Sequence, residues 1–230
     1  MAGFVRKLTA AGLLFGLALT CAARSAAQHP TPTNSGAQVT PAEGLARYER
    51  ALQAASDPLV KFYLTTKLAP TALEAGDREK AKAYAHALLE QAPAFRDNWN
   101  HGNAVHVGNL VLGRLALADG DLEGAGRFLL EAGRTPGSPQ LNSFGPNMFL
   151  AKELLERGRR EVVVEYLDLT AKFWQGSMGR LDKWKASIAA GETPDFGPSV
   201  GVQFNNWRFE RWERIAPQTW QSEKDAKTTP

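Results

Sequence analysis

The chain has 230 residues, with 27 basic and 24 acidic side chains and a single cysteine, Cys21. Three of the basic residues and no acid lie in the first 27 residues, so the remainder carries 24 of each sign. This balance excludes the broad positive field that would favour nucleic acid. Removal of the first 27 residues would also remove Cys21, which excludes a disulfide within the remaining chain.

Residues 1–27 have the composition of a signal peptide. Arg6 and Lys7 precede an apolar stretch at 8–23, and the small residues 25–27 resemble a cleavage site. The apolar stretch is too short, and wrongly flanked, for a membrane span. We therefore expect export across the inner membrane, to the periplasm of a Gram-negative bacterium.

Cys21 offers an alternative to this soluble export, because exported bacterial lipoproteins carry their lipid on a cysteine. A small Gly or Ala is expected directly before such a cysteine, whereas Thr20 stands there. The sequence therefore favours a soluble exported protein over a lipoprotein.

Residues 28–40 are rich in Pro, Thr, Ser, Asn and Gln and predict a flexible tether. The following region, 41–192, is rich in Ala and Leu at helical spacing and predicts one all-α domain. Eight helices are predicted, at 41–55, 58–75, 77–92, 103–119, 121–133, 147–157, 159–174 and 178–190. The last has its apolar residues on one face, which is typical of a helix that caps a helical array. Residues 193–230 are predicted to form an aromatic-rich extension.

A nine-residue pattern occurs three times in this domain. It consists of a leucine with a small residue, a second apolar pair four residues on, and then a glycine. The copies are Leu68-Ala69, Ala72-Leu73, Gly76; Leu112-Gly113, Ala116-Leu117, Gly120; and Leu150-Ala151, Leu154-Leu155, Gly158. Apolar residues recur five and nine positions beyond each glycine. The pattern predicts a helix that ends at the glycine, followed by a second helix running back along the first.

These residues resemble the tetratricopeptide family over roughly 60–175. That resemblance implies antiparallel helix pairs stacked in a right-handed solenoid with a C-terminal capping helix, and capture of a protein segment without catalysis or a cofactor. The glycines are 44 and 38 residues apart, against about 34 in the family. The third unit has Val163 where the others have alanine, and it lacks the closing proline of the first two, Pro93 and Pro136. The alternative is a generic helical bundle with coincidental Gly-Asp turns.

The resemblance implies a partner-binding face on the inner side of the first helices of each pair. Seven residues are carried onto that face: Tyr63, Lys67, His106, Asn109, Arg114, Asn147 and Lys152. Arg114 and Lys152 suit an acidic segment or a terminal carboxylate. Pro70 interrupts the ladder of polar positions that some family members use for such a carboxylate. The alternative is that Arg114 and Lys152 are solvated surface charges.

The segment 98–109 combines two histidines, four asparagines and a tryptophan around a helix start. One hypothesis is that these side chains cap the helix and bond one another at a junction between units. The other is a ligand or peptide contact. His101 and His106 are five residues apart and point in different directions on a helix, so a metal site is disfavoured.

The segment 133–147 holds three prolines and three glycines, with Leu141 and Phe144 as expected apolar anchors. It predicts an ordered connector between units or, alternatively, a binding loop. Together with residues 148–152 it is similar to exported bacterial repeat proteins.

The C-terminal run alternates aromatic residues with arginines. It contains Trp207, Arg208, Phe209, Arg211, Trp212, Arg214 and Trp220, together with Glu210 and Glu213. One hypothesis is a helix for a membrane surface or a partner. The other is that the run covers the apolar side of the last helix pair.

The sequence contains no nucleophile motif and no metal-ligand spacing. We therefore expect a non-enzymatic, exported scaffold that binds a protein or peptide, not nucleic acid, with no cofactor or metal. The second hypothesis is a periplasmic protein that binds a small ligand or envelope component with segments 98–109 and 133–147. A third is a hydrolase or metal enzyme centred on His101 and His106.

Overall fold

The computed structural model describes residues 39–201, and over that range the chain is helical with no strand. Its helices are α1 Pro41–Ala54, α2 Pro58–Glu74, α3 Arg78–Gln91, α4 His101–Ala118, α5 Leu122–Gly133, α6 Pro139–Phe144, α7 Phe149–Glu156, α8 Arg160–Thr170, α9 Arg180–Ala189 and α10 Pro198–Gly201. Short 3₁₀ turns occupy Ala92–Phe95 and Gln175–Ser177. The all-α prediction is confirmed for this part of the chain.

All eight predicted helices form, and the two short helices α6 and α10 were not predicted. The largest difference in a boundary is at α8, which ends at Thr170 instead of 174. The chain turns there so that Phe173 and Trp174 are buried, against Gly137 and Gly145 respectively. The predicted signal peptide and residues 28–38 of the predicted tether lie outside the described residues. So do residues 202–230 of the predicted extension.

The same turn closes three helix hairpins, α2–α3, α4–α5 and α7–α8. Gly76, Gly120 and Gly158 have φ values of +79°, +82° and +77°. The residue after each glycine donates its N–H to the carbonyl five positions back, at 2.9 Å in all three turns. Nothing crowds the position of a Cβ on these glycines, so the positive φ, and not space, is what requires them.

The second helix of the first two hairpins begins with an aspartate cap. Asp77 accepts from the N–H of Lys80 at 3.1 Å, and Asp121 accepts from the N–H of Gly124 at 2.7 Å. Arg159 holds the same place in the third hairpin and makes no cap. The third unit is therefore the least regular of the three, as its sequence predicts.

Small side chains allow the helices of the hairpins to approach closely. The six predicted small or slender positions are all buried: Ala69, Gly113, Ala151, Ala81, Ala125 and Val163. A Cβ added to Gly113 would lie 2.5 Å from Leu150 Cδ2 and 3.1 Å from Phe128 Cβ, so α4 approaches its neighbours closely at this glycine.

Neighbouring hairpins pack in chain order. The first helix α2 packs on α4, α4 packs on α7, and the second helices α3 and α5 pack on the hairpin that follows each of them. Helix α1 packs on α2 at one end, and α9 packs on α8 at the other. The apolar core runs along these contacts, from Leu45 and Tyr48 of α1 to Trp184 and Ile188 of α9.

The hairpins have two distinguishable ends. Their glycine turns lie at one end, which we call the turn end. Because each hairpin starts and finishes at the opposite end, the segments that follow the three hairpins lie there: 92–100, 134–148 and 171–179. We call these the connectors, and that end the connector end. Helix α6 lies within the second connector.

The start of the predicted C-terminal extension packs on the domain. Phe196 is buried against Trp184, with ring centroids 5.0 Å apart. The Trp184 indole N–H donates to the carbonyl of Asp195 at 3.1 Å, and the N–H of Met148 donates to the carbonyl of Ser199 at 3.0 Å. Residues 195–201 are therefore part of the folded unit.

Candidate functional site

Three helices carry six of the seven residues predicted to bind a partner, and the seventh, Asn147, lies in the second connector just before α7. Four have at least partly accessible side chains: Tyr63 and Lys67 on α2, Arg114 on α4, and Lys152 on α7. The other three are buried and make hydrogen bonds within the fold.

Tyr63 belongs to an aromatic and amide cluster at the start of α2. Its hydroxyl accepts from Asn98 Nδ2 at 2.9 Å, and its ring stacks on Trp99 with centroids 5.5 Å apart. One turn further along α2, Lys67 is half-buried, and desolvation lowers its pKa to about 8. An aromatic ring and a cation therefore follow each other along one stripe of α2.

Arg114 and Lys152 each lie beside a carboxylate of α7. Arg114 Nε lies 3.3 Å from Glu153 Oε2, and its guanidinium stacks over the Phe149 ring at 4.2 Å. Lys152 forms an ion pair with Glu156, one turn along α7. Ion pairs this exposed contribute less than about 1 kcal/mol, so a carboxylate from another molecule can compete for both cations.

His106 is an internal residue rather than a groove contact. It is 2% exposed, its Nδ1 lies 3.0 Å from the Ala132 carbonyl oxygen, and Asn147 N lies 3.3 Å from its Nε2. A carbonyl only accepts, so Nδ1 carries the proton and Nε2 accepts from the Asn147 N–H. Burial lowers the pKa of His106 to about 4, and the ring is therefore neutral.

Asn109 and Asn147 also stabilise the backbone around them. Asn109 Nδ2 donates to the Val105 carbonyl at 2.8 Å, one turn back on α4. The Asn147 side-chain oxygen accepts from the N–H of Phe149 at 2.9 Å and so bonds the start of α7. Burial of the predicted groove residues His106, Asn109 and Asn147 follows from these contacts, which a helical repeat pattern does not specify.

The Asn- and His-rich segment 98–109 bonds the units together. Asn98 accepts from the backbone N–H of Asn100, whose own side chain donates to Thr66 Oγ1 of α2; both distances are 2.9 Å. His101 Nδ1 lies 2.9 Å from the Ala92 carbonyl. These contacts support the hypothesis that the side chains bond one another at a junction between units, but Asn100 makes no side-chain cap at the start of α4.

The Pro- and Gly-rich segment 133–147 packs directly on that junction. Thr135 Oγ1 donates to the Gly102 carbonyl at 2.7 Å, and Ser138 Oγ donates to Asn103 Oδ1 at 2.6 Å. A Cβ on Gly102 would lie 1.7 Å from the carbonyl oxygen of Gly137. The two segments that our second hypothesis combined are therefore adjacent, and these polar groups bond each other and not a ligand.

One of the two expected anchors of this segment is wrong. Leu141 is buried, whereas Phe144 is 68% exposed. The inward positions after α6 are taken by Gly145 and Pro146, both buried, which leaves the Phe144 ring outside. The helical spacing of Leu141 and Phe144 predicts that both face the core. It does not reveal that α6 ends at Phe144 and leaves that ring in solvent.

Sequence reasoning missed three exposed apolar side chains at the connector end. Trp99, Phe144 and Met178 are 41%, 68% and 85% exposed, and each belongs to a different connector. The only available signal was that the units are longer than the family repeat, with the extra residues between hairpins.

No group of three or more His, Cys, Asp or Glu side chains within residues 39–201 is placed to hold a metal ion. In the same range no helix is long and apolar enough to cross a membrane. Comparison with models of protein families, with curated proteins and with solved structures finds no match.

Proposed function

We propose that this chain is an exported, non-enzymatic scaffold of the tetratricopeptide type that captures an extended protein segment along α2, α4 and α7. The observation that carries the proposal is the side-by-side packing of three hairpins closed by one and the same turn. A hairpin of two amphipathic helices leaves one apolar flank uncovered, and the next hairpin covers it.

The order of helix contacts supports a stack of hairpins, and we propose that the stack has the right-handed form that the tetratricopeptide resemblance implies. First helices pack on first helices, and each second helix packs on the hairpin that follows. In a stack of this kind the first helices line the inner, concave side, which is where such proteins hold extended peptides.

The charge on that side favours an acidic segment. Lys67, Arg114 and Lys152 supply one cation on each of the three first helices, and Tyr63 adds an aromatic surface. Glu153 and Glu156 keep two of these cations in place without neutralising them fully, because both ion pairs are partly exposed. A peptide carboxylate that reaches Arg114 gains a charge-assisted hydrogen bond.

Export rests on the sequence of residues 1–27. The charge balance of the remaining chain fits a protein that recognises a partner through a local site and not through a global field. We propose that the protein acts in the periplasm.

Neutralisation of the two paired cations tests the proposal. Acidic peptides that bind the wild-type protein on an array are re-measured by fluorescence anisotropy with the Arg114→Gln, Lys152→Gln variant. We expect binding to weaken about tenfold or more, because two charge-assisted contacts are lost.

A matched control removes the same charge from the second helices. Lys82 on α3 and Arg127 on α5 are exposed, and changing both to Gln should leave the affinity unchanged. Equal weakening in both variants, or no acidic peptide bound by the wild-type protein, contradicts a binding face on the first helices.

A further inference from the structure

The exposed large apolar side chains of the described residues are not scattered at random. There are four: Val39, Trp99, Phe144 and Met178. Three of them lie at the connector end, one in each connector, while Val39 precedes α1 at the turn end. Single exposed apolar residues are ordinary, but three that share one end of a molecule define a surface.

Helix α6 joins these three positions into one edge. At its start, Gln140 accepts from the side chain of Asn103, near the first connector, at 3.2 Å. At its end, Asn142 Oδ1 accepts from the N–H of Gln175 in the third connector at 3.0 Å. The edge is therefore held in a fixed arrangement, and its apolar side chains project from an ordered backbone.

The connectors carry a small excess of positive charge. Arg96, Arg134 and Lys172 stand against a single acid, Asp97. Arg134 is paired with both Glu131 and Glu165 and adds no free charge, whereas Arg96 and Lys172 make no ion pair within residues 39–201. The turn between α1 and α2 adds Asp57, whose carboxylate caps α2.

The chain also leaves the described region at this end. Helix α10 is bonded to Met148, directly before the start of α7, through the Ser199 carbonyl. The residues that follow Gly201 include Trp207, Trp212 and Trp220, alternating with arginines. Tryptophan beside arginine is the composition typical of segments at a membrane interface.

We propose that the connector end rests on a phospholipid surface, with Trp99, Phe144 and Met178 inserted at the level of the headgroups. Separate apolar side chains on three loops, with basic neighbours, suit a fluid surface that closes around each of them. A protein partner would instead require a contiguous, desolvated patch with a polar rim. In this orientation Tyr63, which stacks on Trp99, lies at the boundary between the lipid surface and the binding face on the first helices.

Vesicles of phosphatidylethanolamine and phosphatidylglycerol provide the test. Co-sedimentation of the full chain with these vesicles is compared with that of the Trp99→Ser, Phe144→Ser, Met178→Ser variant. We expect the partition coefficient of the variant to fall about tenfold or more. Trp99 stacks on Tyr63, whereas Phe144 and Met178 are 68% and 85% exposed. A Phe144→Ser, Met178→Ser variant is therefore measured as well; its thermal unfolding should match that of the wild-type protein, and its partition coefficient should also fall.

Depth is measured with a fluorophore that is sensitive to polarity. Cys21 is the only cysteine, so in a Cys21→Ser background a single label can be attached through Phe144→Cys or Asp119→Cys. Emission from position 144 should shift to the blue on adding vesicles, and emission from position 119, at the turn end, should not.

Three outcomes overturn the proposal. They are no binding of the wild-type protein to vesicles, binding that the triple substitution leaves unchanged, and equal blue shifts at both labelled positions. Light scattering that shows a dimer lost in the triple variant, without vesicle binding, assigns the edge to contact between copies of this chain instead.

Discussion

At the scale of single residues, His106 shows how burial changes the role that a side chain can have. The neutral ring donates to Ala132 and accepts from Asn147, so it joins α4 to the end of α5 and to the second connector. A protonated ring would bring its Nε2–H against the Asn147 N–H, donor against donor. Burial and this geometry both oppose protonation, in agreement with a pKa near 4.

Because of His106, we expect the free energy of unfolding to decrease as the pH is lowered. The unfolded chain takes up this proton near pH 6.5, whereas the folded chain takes it up at about 4. The contribution is therefore complete above about pH 6.5 and is lost as the pH falls towards 4. The loss is up to about 1.4 kcal/mol per pH unit, and urea unfolding at pH 7.5, 6 and 5 measures it.

The His106→Gln variant separates this residue from other titrating groups. Its stability should depend less steeply on pH over the same range, although the variant is less stable overall by about 1–3 kcal/mol. His86 is exposed on α3, and His86→Gln should keep the wild-type slope. An unchanged slope in His106→Gln would show that another group dominates.

At the scale of elements, the contact between α4 and the second connector depends on an absent side chain. A Cβ on Gly102 would lie 1.7 Å from the Gly137 carbonyl oxygen and 2.4 Å from its carbonyl carbon. Both are backbone atoms, which no rotamer change can move. Gly137 is itself confined, because its own φ is +85° and Phe173 lies close to it.

Two substitutions of the same chemical kind should therefore have opposite effects. Gly102→Ala should destabilise the protein by about 2 kcal/mol or more, because the connector has to move. Gly44→Ala in α1 should stabilise it by roughly 0.5–1 kcal/mol, because its Cβ would make an ordinary 3.6 Å contact with Thr71 Cγ2. Thermal unfolding of both variants checks the pair. Destabilisation by Gly44→Ala as well would show that the space around the added Cβ is not what distinguishes the two sites.

At the scale of the whole molecule, the apolar flanks at the two ends of the helical array are covered by α1 and α9. Trp184 of α9 packs on Trp174 with ring centroids 5.6 Å apart and meets Phe196 on its other side. Removing this ring leaves a cavity at the end of the third hairpin. In a stack whose units contact only their neighbours, such damage stays local.

We expect Trp184→Ala to destabilise the structure by about 3–5 kcal/mol, with faster amide hydrogen exchange in α8 and α9. Exchange in α1–α3 should change little, because that end does not contact Trp184. Leu45→Ala in α1 should give the reciprocal pattern. Equal acceleration throughout in either variant would contradict a stack of units and favour a single cooperative bundle.

Most of the helices and their turns could be predicted from the repeated pattern, because helix ends depend on local chemistry. Glycine followed by aspartate specifies a helix end and a helix start within a few residues in the first two hairpins, and the spacing of apolar residues places the other predicted helices. The turn at Gly158, for example, is closed by a hydrogen bond to the carbonyl of Leu154, only four residues earlier. Local hydrogen bonds of this kind form in the same way wherever the hairpin lies.

The candidate site was less legible because accessibility is decided by contacts distant in sequence. His106, Asn109 and Arg114 were all predicted to lie on the binding face of α4, yet only Arg114 remains partly accessible. His106 is covered by Ala132 of α5, 26 residues away, and by Asn147 of the second connector, 41 residues away. Phe144 shows the converse, an apolar residue left outside by the packing of its neighbours.

By itself, then, the sequence determined which segments form the eight longer helices, where the hairpins turn and which small residues lie between their helices, since each depends on residues a few positions apart. Tertiary structure alone decided which polar side chains are consumed in joining the units and which apolar ones face solvent at the connector end. The physical reason is that burial depends on every element that packs nearby. A polar side chain can be buried where it gains hydrogen bonds, and an apolar side chain can be exposed where the neighbouring backbone packs closely.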